Sequence, residues 1–193
     1  MTRLLLCLTA LVALTGCADV TAEQEPHTSG ALTSRPASSA MVAGTPGSAT
    51  AEAVPPSVPS RLRLGEIDAP VVPIKLTGSA LTPPDDPHTL GWWGKRAGSP
   101  HGTTLLTGHT VHAGGGTFDD LEDTSLGARA HVNAHVYQVT SVQVISKDEL
   151  ARRAPTLFAQ AGRPKLVLVT CEGYNPTTGH YASNVVVTAR LVR

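Results

Sequence analysis

Leu166 to Arg193 reads LVLVTCEGYNPTTGHYASNVVVTARLVR. Its first five residues are an uninterrupted apolar and β-branched run, the pattern of a buried strand. Cys171 follows where that strand is expected to end. A polar loop is expected over Glu172–Ser183, with Asn175-Pro176 and Gly179 as turn formers. Val185, Val186, Val187, Thr188 and Leu191 then make a second strand. A cysteine at a strand end rests on a rigid support and stays reachable from a loop, which suits a nucleophile. The bland alternative is a core thiol, because free cysteine is often buried.

Composition points to the same half of the chain. The two Trp, three Tyr and two Phe all lie at or after Trp92. Aromatic side chains anchor cores, so the folded part is C-terminal. About 130 residues there suffice for one domain with a proper core. Charge is balanced, 15 basic residues against 15 acidic, and there is no polybasic run. That excludes an electrostatic case for nucleic acid or for anionic lipid.

The cysteines are Cys7, Cys17 and Cys171. Residues 1–17 read as a targeting segment, with Arg3 as the positive region and Leu4–Leu14 as an apolar stretch. That stretch is too short to span a bilayer, which needs roughly 20 residues. It contains Cys7 and is expected to be removed. It ends in Leu14-Thr15-Gly16-Cys17, which resembles a bacterial lipobox. The resemblance implies a diacylglycerol on the Cys17 thiol, with Cys17 as the new N-terminus; two acyl chains hold a protein stably. An ordinary secretory signal with an incidental cysteine is the alternative. Cys171 is then left unpaired in an exported protein, and an odd cysteine there is either reactive or intermolecular.

Residues 18–60 are rich in Ala, Ser, Thr, Pro and Gly and lack aromatics. Such a segment buries too little apolar surface to offset its chain entropy and reads as a disordered tether. As a flexible coil it spans about 35–40 Å.

The domain is expected over residues 61–193. Arg61–Ile67 and Val71–Leu76 read as short strands limited by Pro70 and Pro73. Pro83-Pro84-Asp85-Asp86-Pro87 is a turn, Thr103–Thr107 a strand, and Thr117–Glu122 one helical turn. Arg129–Ile145 is β-rich, with Val136, Val142, Val144 and Ile145 expected to face inward. Ser146-Lys147-Asp148-Glu149 fits a capping box, with Glu149 reaching back and a helix running to about Arg153. Many short strands with Gly/Pro punctuation and one or two small helices predict a small β-barrel.

Four motifs carry a family resemblance. Leu168-Val169-Thr170-Cys171 on its strand, Leu105-Leu106-Thr107-Gly108-His109 upstream, Gly91-Trp92-Trp93 and Asn184-Val185-Val186-Val187 stand in the order found in sortases. These are the cysteine transpeptidases of Gram-positive cell surfaces, and the chain resembles their actinobacterial class F or class E members. The resemblance implies a mostly β, closed barrel of about eight strands. It implies Cys171 as nucleophile and His109 as the acid that protonates the leaving amine. It implies as partners a sorting-signal peptide such as LPxTG, cut after Thr, and an amine acceptor in the cell wall or on a pilin lysine. No cofactor and no metal are implied. Location follows as the outer face of the plasma membrane. Most sortases are held by a transmembrane helix, so the lipobox is a departure.

Sortases also place an arginine on the last strand, beside the cysteine. The family's usual spacing reaches Asn184 here, and Ala182, another class F position, is not arginine either. Asn184 can donate from its amide but carries no charge. Arg190 shares the strand and, by parity, the face of Asn184, but lies about 20 Å further on. It reaches the site only through a bulge or bend.

His109 and His112, with the H-x3-H pair His131 and His135 and Cys171, admit a zinc reading. On one strand, however, His131 and His135 stand about 13 Å apart, too far for one ion. His88, His101, His131 and His135 are expected to be solvated surface residues. Three functions compete beside that outsider: a cysteine transpeptidase, a barrel lipoprotein that only binds sorting signals, and a hydrolase that passes the acyl group to water.

Overall fold

A computed structural model describes residues 54–77 and 80–192. Arg61–Leu64 (β1) and Ile67–Pro73 (β2) form a hairpin about Gly65, whose φ of 56° is left-handed. Glycine takes that conformation without a Cβ penalty. The single strand expected over Arg61–Ile67 is therefore two. Alternation in β1 turns Leu62 and Leu64 into the core and leaves Arg61 and Arg63 outside, 2.6 and 3.8 Å from Asp68. Leu76–Thr77 (β3) and Ala80–Leu81 (β4) make a separate two-stranded hairpin.

The remaining strands are Leu90–Gly94 (β5), Thr103–Thr107 (β6), Arg129–Val132 (β7), His135–Ser146 (β8), Lys165–Asn175 (β9) and His180–Leu191 (β10). With β1 and β2 they close an eight-stranded barrel in the order β1-β2-β5-β6-β9-β10-β8-β7. The β2–β5 and β6–β9 pairs are parallel. A 3₁₀ turn spans Leu121–Asp123, and Lys147–Leu157 forms the helix α1. This is the mostly β architecture expected.

The barrel interior is filled by Leu62, Leu90, Leu106, Tyr137, Leu168 and Val187. A second cluster lies on the other face of the β6–β9–β10 wall: Leu105, Val167, Val169, Val186 and Ile145 pack against Leu157 of α1. That wall is buried on both sides, which explains why Thr103–Thr107 and Leu166–Thr170 show no alternation. Each such side chain contributes about 1.5–3 kcal/mol when fully buried. The outer cluster therefore fixes α1 against the strands that carry Cys171.

Several expectations shift. Ser146 caps α1, its Oγ accepting from the Glu149 N–H (3.1 Å). Glu149 does not reach back; it pairs with Arg153 at 3.2 Å, and the helix continues through Pro155 to Leu157. Val144, expected inside, is 53% exposed. The β8–β10 register shifts between Thr188 and Ala189, which switches the inward parity from Val139 to Val142; Val144 has the parity of Val142, and its exposure has no explanation in that bulge.

His131 and His135 do not share a strand. Asn133, with φ of 54°, turns the chain between β7 and β8. His131 remains exposed, whereas His135 is only 6% exposed, an exception to the expected surface histidines. Its Nε2 lies 3.1 Å from the Pro55 carbonyl, and a Cβ on Gly98 would fall 2.1 Å from its ring.

Asn133 also ties the segment ahead of β1 to the barrel. Its Oδ1 accepts from the Ser60 N–H (3.0 Å), and its Nδ2 donates to the Val58 carbonyl (2.7 Å). Asn133→Ala places an ordinary residue in the left-handed region and removes these bonds. It is expected to lower unfolding stability by about 1–2 kcal/mol in urea titration. Asn133→Gly, which relieves only the backbone, should recover part of the loss.

Candidate active site

Cys171 is the free thiol among the described residues and is half-buried. It stands within β9 rather than at its end, since β9 continues to Asn175 and β10 begins at His180. The loop expected over Glu172–Ser183 is thus mostly a hairpin arm. Its tip turns at Asn175, whose carbonyl accepts from Gly179 N–H (2.8 Å). The cross-strand rings of Tyr174 and Tyr181 lie 5.2 Å apart, and His112 stacks on Tyr174 at 3.9 Å. The arm reads as loop because most of its residues are polar and exposed; cross-strand pairing holds it together.

Strand β6 stops pairing at Thr107–Val169, so β9 projects past its neighbour just where Cys171 stands. Gly108 N–H donates to the Val169 carbonyl (3.2 Å), and the Thr170 hydroxyl donates to the Gly108 carbonyl (3.0 Å). These bonds bring the Gly108-His109 backbone beside the Thr170-Cys171 step. A Cβ on Gly108 would fall 2.5 Å from the Leu90 side chain and 2.9 Å from that of Phe118, so the packing of these two buried residues favours glycine here.

The His109 ring points elsewhere: its Nε2 lies 2.7 Å from the Pro84 carbonyl. A carbonyl only accepts, so Nε2 carries the proton and a neutral ring keeps Nδ1 as its basic nitrogen. The turn that positions Pro84 is held by Asp86. Hydrogen bonds from the Thr89 hydroxyl and His88 N–H hold the Asp86 carboxyl below the usual carboxylate range. Among the described residues no hydrogen bond joins His109 to Cys171. His112 lies on the hairpin arm and not beside the thiol, and no group of three or more metal-ligating side chains occurs among the described residues.

Asn184 is the cross-strand partner of Cys171. Its Nδ2 donates to the Thr170 carbonyl (2.9 Å), and its Oδ1 is buried without a partner. One of the two donors expected of its amide is thus taken up within the protein. Leaving an acceptor orphaned costs about 1–3 kcal/mol, which a donor on a ligand offsets. Arg190 pairs in register with Lys165 at the far end of the same strands and donates to Gln138. The β9–β10 register runs unbroken between the two positions, so no bulge there carries Arg190 toward the thiol.

One residue that sequence reasoning passed over does reach it. Lys147, the first residue of α1, places Nζ 3.4 Å from Cys171 Sγ. The capping signature located Lys147 at a helix start; only the packing of α1 on the wall aims it at the sulfur. On the other side of Cys171, Glu172 lies close enough that its charge, more than partial burial or Asp123, raises the Glu122 carboxyl.

Cys171, Asn184 and Lys147 line one groove of about 740 Å³ on the outer face of the wall. Its sides are apolar, from Leu81, Trp93, Leu105, Leu150 and Phe158. A second cavity of about 550 Å³, between Leu64–Ala69 and Gly116–Ser125, does not reach Cys171.

A family model for the sortase domain matches residues 61–192. The chain belongs to the sortase family. Its sortase domain resembles SrtA sortase from Actinomyces oris at a TM-score of 0.55 and 18% identity, over 74% of this chain and 87% of that one. It is similar to sortase A from Listeria monocytogenes (TM-score 0.54, 13% identity, 71% and 88% covered). A sortase A lid mutant from Corynebacterium diphtheriae aligns at 0.52 and 20% identity, over 72% and 73%. No curated protein matches the chain. At these identities the structural likeness speaks for the fold, a general cysteine-transpeptidase fold.

Proposed function

We propose that this sortase domain is a cysteine transpeptidase that cleaves an LPxTG-like sorting signal through a thioester on Cys171 and passes the acyl group to an amine. The observation that carries the reading is the half-buried Cys171 thiol in the wall of an extended apolar groove. An extended peptide lies well in such a groove, its apolar side chains between α1 and the β3–β4 hairpin. The orphaned Asn184 Oδ1 supplies an acceptor for a peptide N–H.

The Cys171 proton passes to His109, and the sulfur attacks the scissile carbonyl carbon. The carbonyl pair moves to oxygen; as it returns, the C–N bond breaks and His109 gives its proton to the leaving amine. An incoming amine then forms the new amide, yields a proton and releases the thiolate. For this cycle the His109 ring must exchange its Pro84 contact for the reacting groups. Gly91-Trp92-Trp93 and Asn184–Val187 favour the class F or class E branch.

The test is mass spectrometry of the protein incubated with LPxTG-like peptides, with and without amines. An acyl adduct on Cys171 and an amine-dependent product uphold the reading. Cleavage indifferent to amines means hydrolysis. Binding with no adduct, even to a peptide bearing an electrophile at the scissile position, means a peptide-binding lipoprotein; the neutral Asn184 at the usual arginine position favours that second reading.

The family places the protein at the cell envelope. Cys17 lies outside the described residues, and among those described no helix is long and apolar enough to cross a membrane. We propose that a lipid on Cys17 anchors the domain to the outer face of the plasma membrane. Cys17→Ser is expected to release the protein into the medium or to leave an unprocessed precursor. Tight membrane association without lipid label would refute the anchor.

A further inference from the structure

The side chain facing Cys171 across the strands has no positive charge to set against a negative one. Asn184 is 5% exposed and donates an amide hydrogen to the Thr170 carbonyl, which settles which end of the amide is which. What it leaves unpartnered is an oxygen. A thiolate or an oxyanion formed here gains nothing from that oxygen and no opposite charge from the side chain. Arg190, the other candidate, is bound to Gln138 at the far end of the strand.

Lys147 is differently placed. It is the one charged residue among those lining the groove, and its ammonium nitrogen is 3.4 Å from Sγ. It has no carboxylate partner among the described residues. Its mount is rigid: Ser146 pairs with Ser183 and Ile145 with Asn184, so β8 delivers the start of α1 beside the Cys171–Asn184 pair. Being at the N-terminus of an eleven-residue helix, Lys147 also adds its charge to the positive end of the backbone dipole.

We propose that Lys147 is a catalytic residue, the cation of this active site. It rests on the transpeptidase reading for its substrate, but its contact with the sulfur does not. The ammonium group keeps its proton throughout. It faces the Cys171 thiolate before attack; when the S–C bond forms and the carbonyl electron pair moves to oxygen, it faces the oxyanion. When the pair returns and the C–N bond breaks, the amine takes its proton from His109, not from Lys147. The cation thus comes from the start of a helix rather than from the strand beside the cysteine, and the strand position, held by Asn184, is free to accept a hydrogen bond from the peptide backbone.

The experiment uses the full chain as wild type, Lys147→Met and Lys147→Arg. Methionine keeps much of the apolar stem and removes the charge; Lys147 is exposed, so circular dichroism should be unchanged. Cys171 is modified with an anionic and with a cationic methanethiosulfonate, and peptide mapping separates it from Cys7 and Cys17. The ratio of anionic to cationic rates should fall about tenfold in Lys147→Met, because one close charge has been removed, and recover in Lys147→Arg. Peptide turnover should fall about 10²-fold in kcat with KM little changed, the pattern of a lost oxyanion partner. An unchanged reagent ratio overturns the proposal, whatever the turnover. A lowered ratio in a protein that turns over no peptide upholds the cation–sulfur pair and removes the transpeptidase reading instead. A lowered ratio with wild-type turnover overturns the catalytic role.

Discussion

Cys171→Ala is expected to abolish the proposed acyl transfer and cleavage while the barrel stays folded. Only the sulfur can form the thioester, and alanine offers no nucleophile in its place. Losing the nucleophile of such a unit costs on the order of 10⁶ in kcat. The fold should not notice: Cys171 is half-buried at a point where β6 has already stopped pairing, and its backbone pairing with Asn184 does not depend on the side chain. Thermal unfolding is expected within about 0.5 kcal/mol of wild type, as for substitutions away from the core. The check is product formation by mass spectrometry beside a melting curve. Retained turnover would exclude Cys171 as the nucleophile and with it the thioester route.

His109→Ala is expected to lower kcat roughly 10²–10⁴-fold, the range for losing a positioned acid–base group. Substrate binding should change less, because the ring does not line the groove described around Cys171. The comparison that gives this meaning is His112→Ala. His112 is exposed and stacks on Tyr174 of the hairpin arm, and the Tyr181 hydroxyl donates to the Thr110 carbonyl (2.8 Å) nearby. Removing His112 loosens the arm and should cost less than about tenfold, in line with a surface contact. Single-turnover measurements of the acylation step separate the two. Equal losses would assign the effect to the loop after β6 that carries both histidines, and equal losses with sensitivity to chelators would revive a shared metal.

Much of this was legible in residue order. The buried wall announced itself because a strand covered on both faces needs no polar alternation, so Leu166–Thr170 and Thr103–Thr107 stood out as unbroken runs. Ser146 was readable as a helix cap because the bond it makes is local, three residues long. Cys171 and Gly108-His109 were legible as candidates because a thiol after a buried run and a Gly-His step after β6 are local patterns, although Cys171 stands within β9 and not at the strand end the residue order suggested.

What stayed hidden was everything set by non-local pairing. The hairpin arm looked like a loop because its stability comes from partners across the turn. His135 looked like a surface residue because its cover, Gly98 and Pro55, is distant in sequence. The position of Arg190 was decided by a register that runs unbroken from Ser183 to Arg190 against β9, which no parity argument supplies. Lys147 is the sharpest case. Its sequence neighbours specify a helix start and nothing more. Its distance from Cys171 depends on where the outer cluster of Leu105, Val167, Val169 and Val186 seats α1 on the wall, and packing of that kind joins residues whose order along the chain carries no record of it.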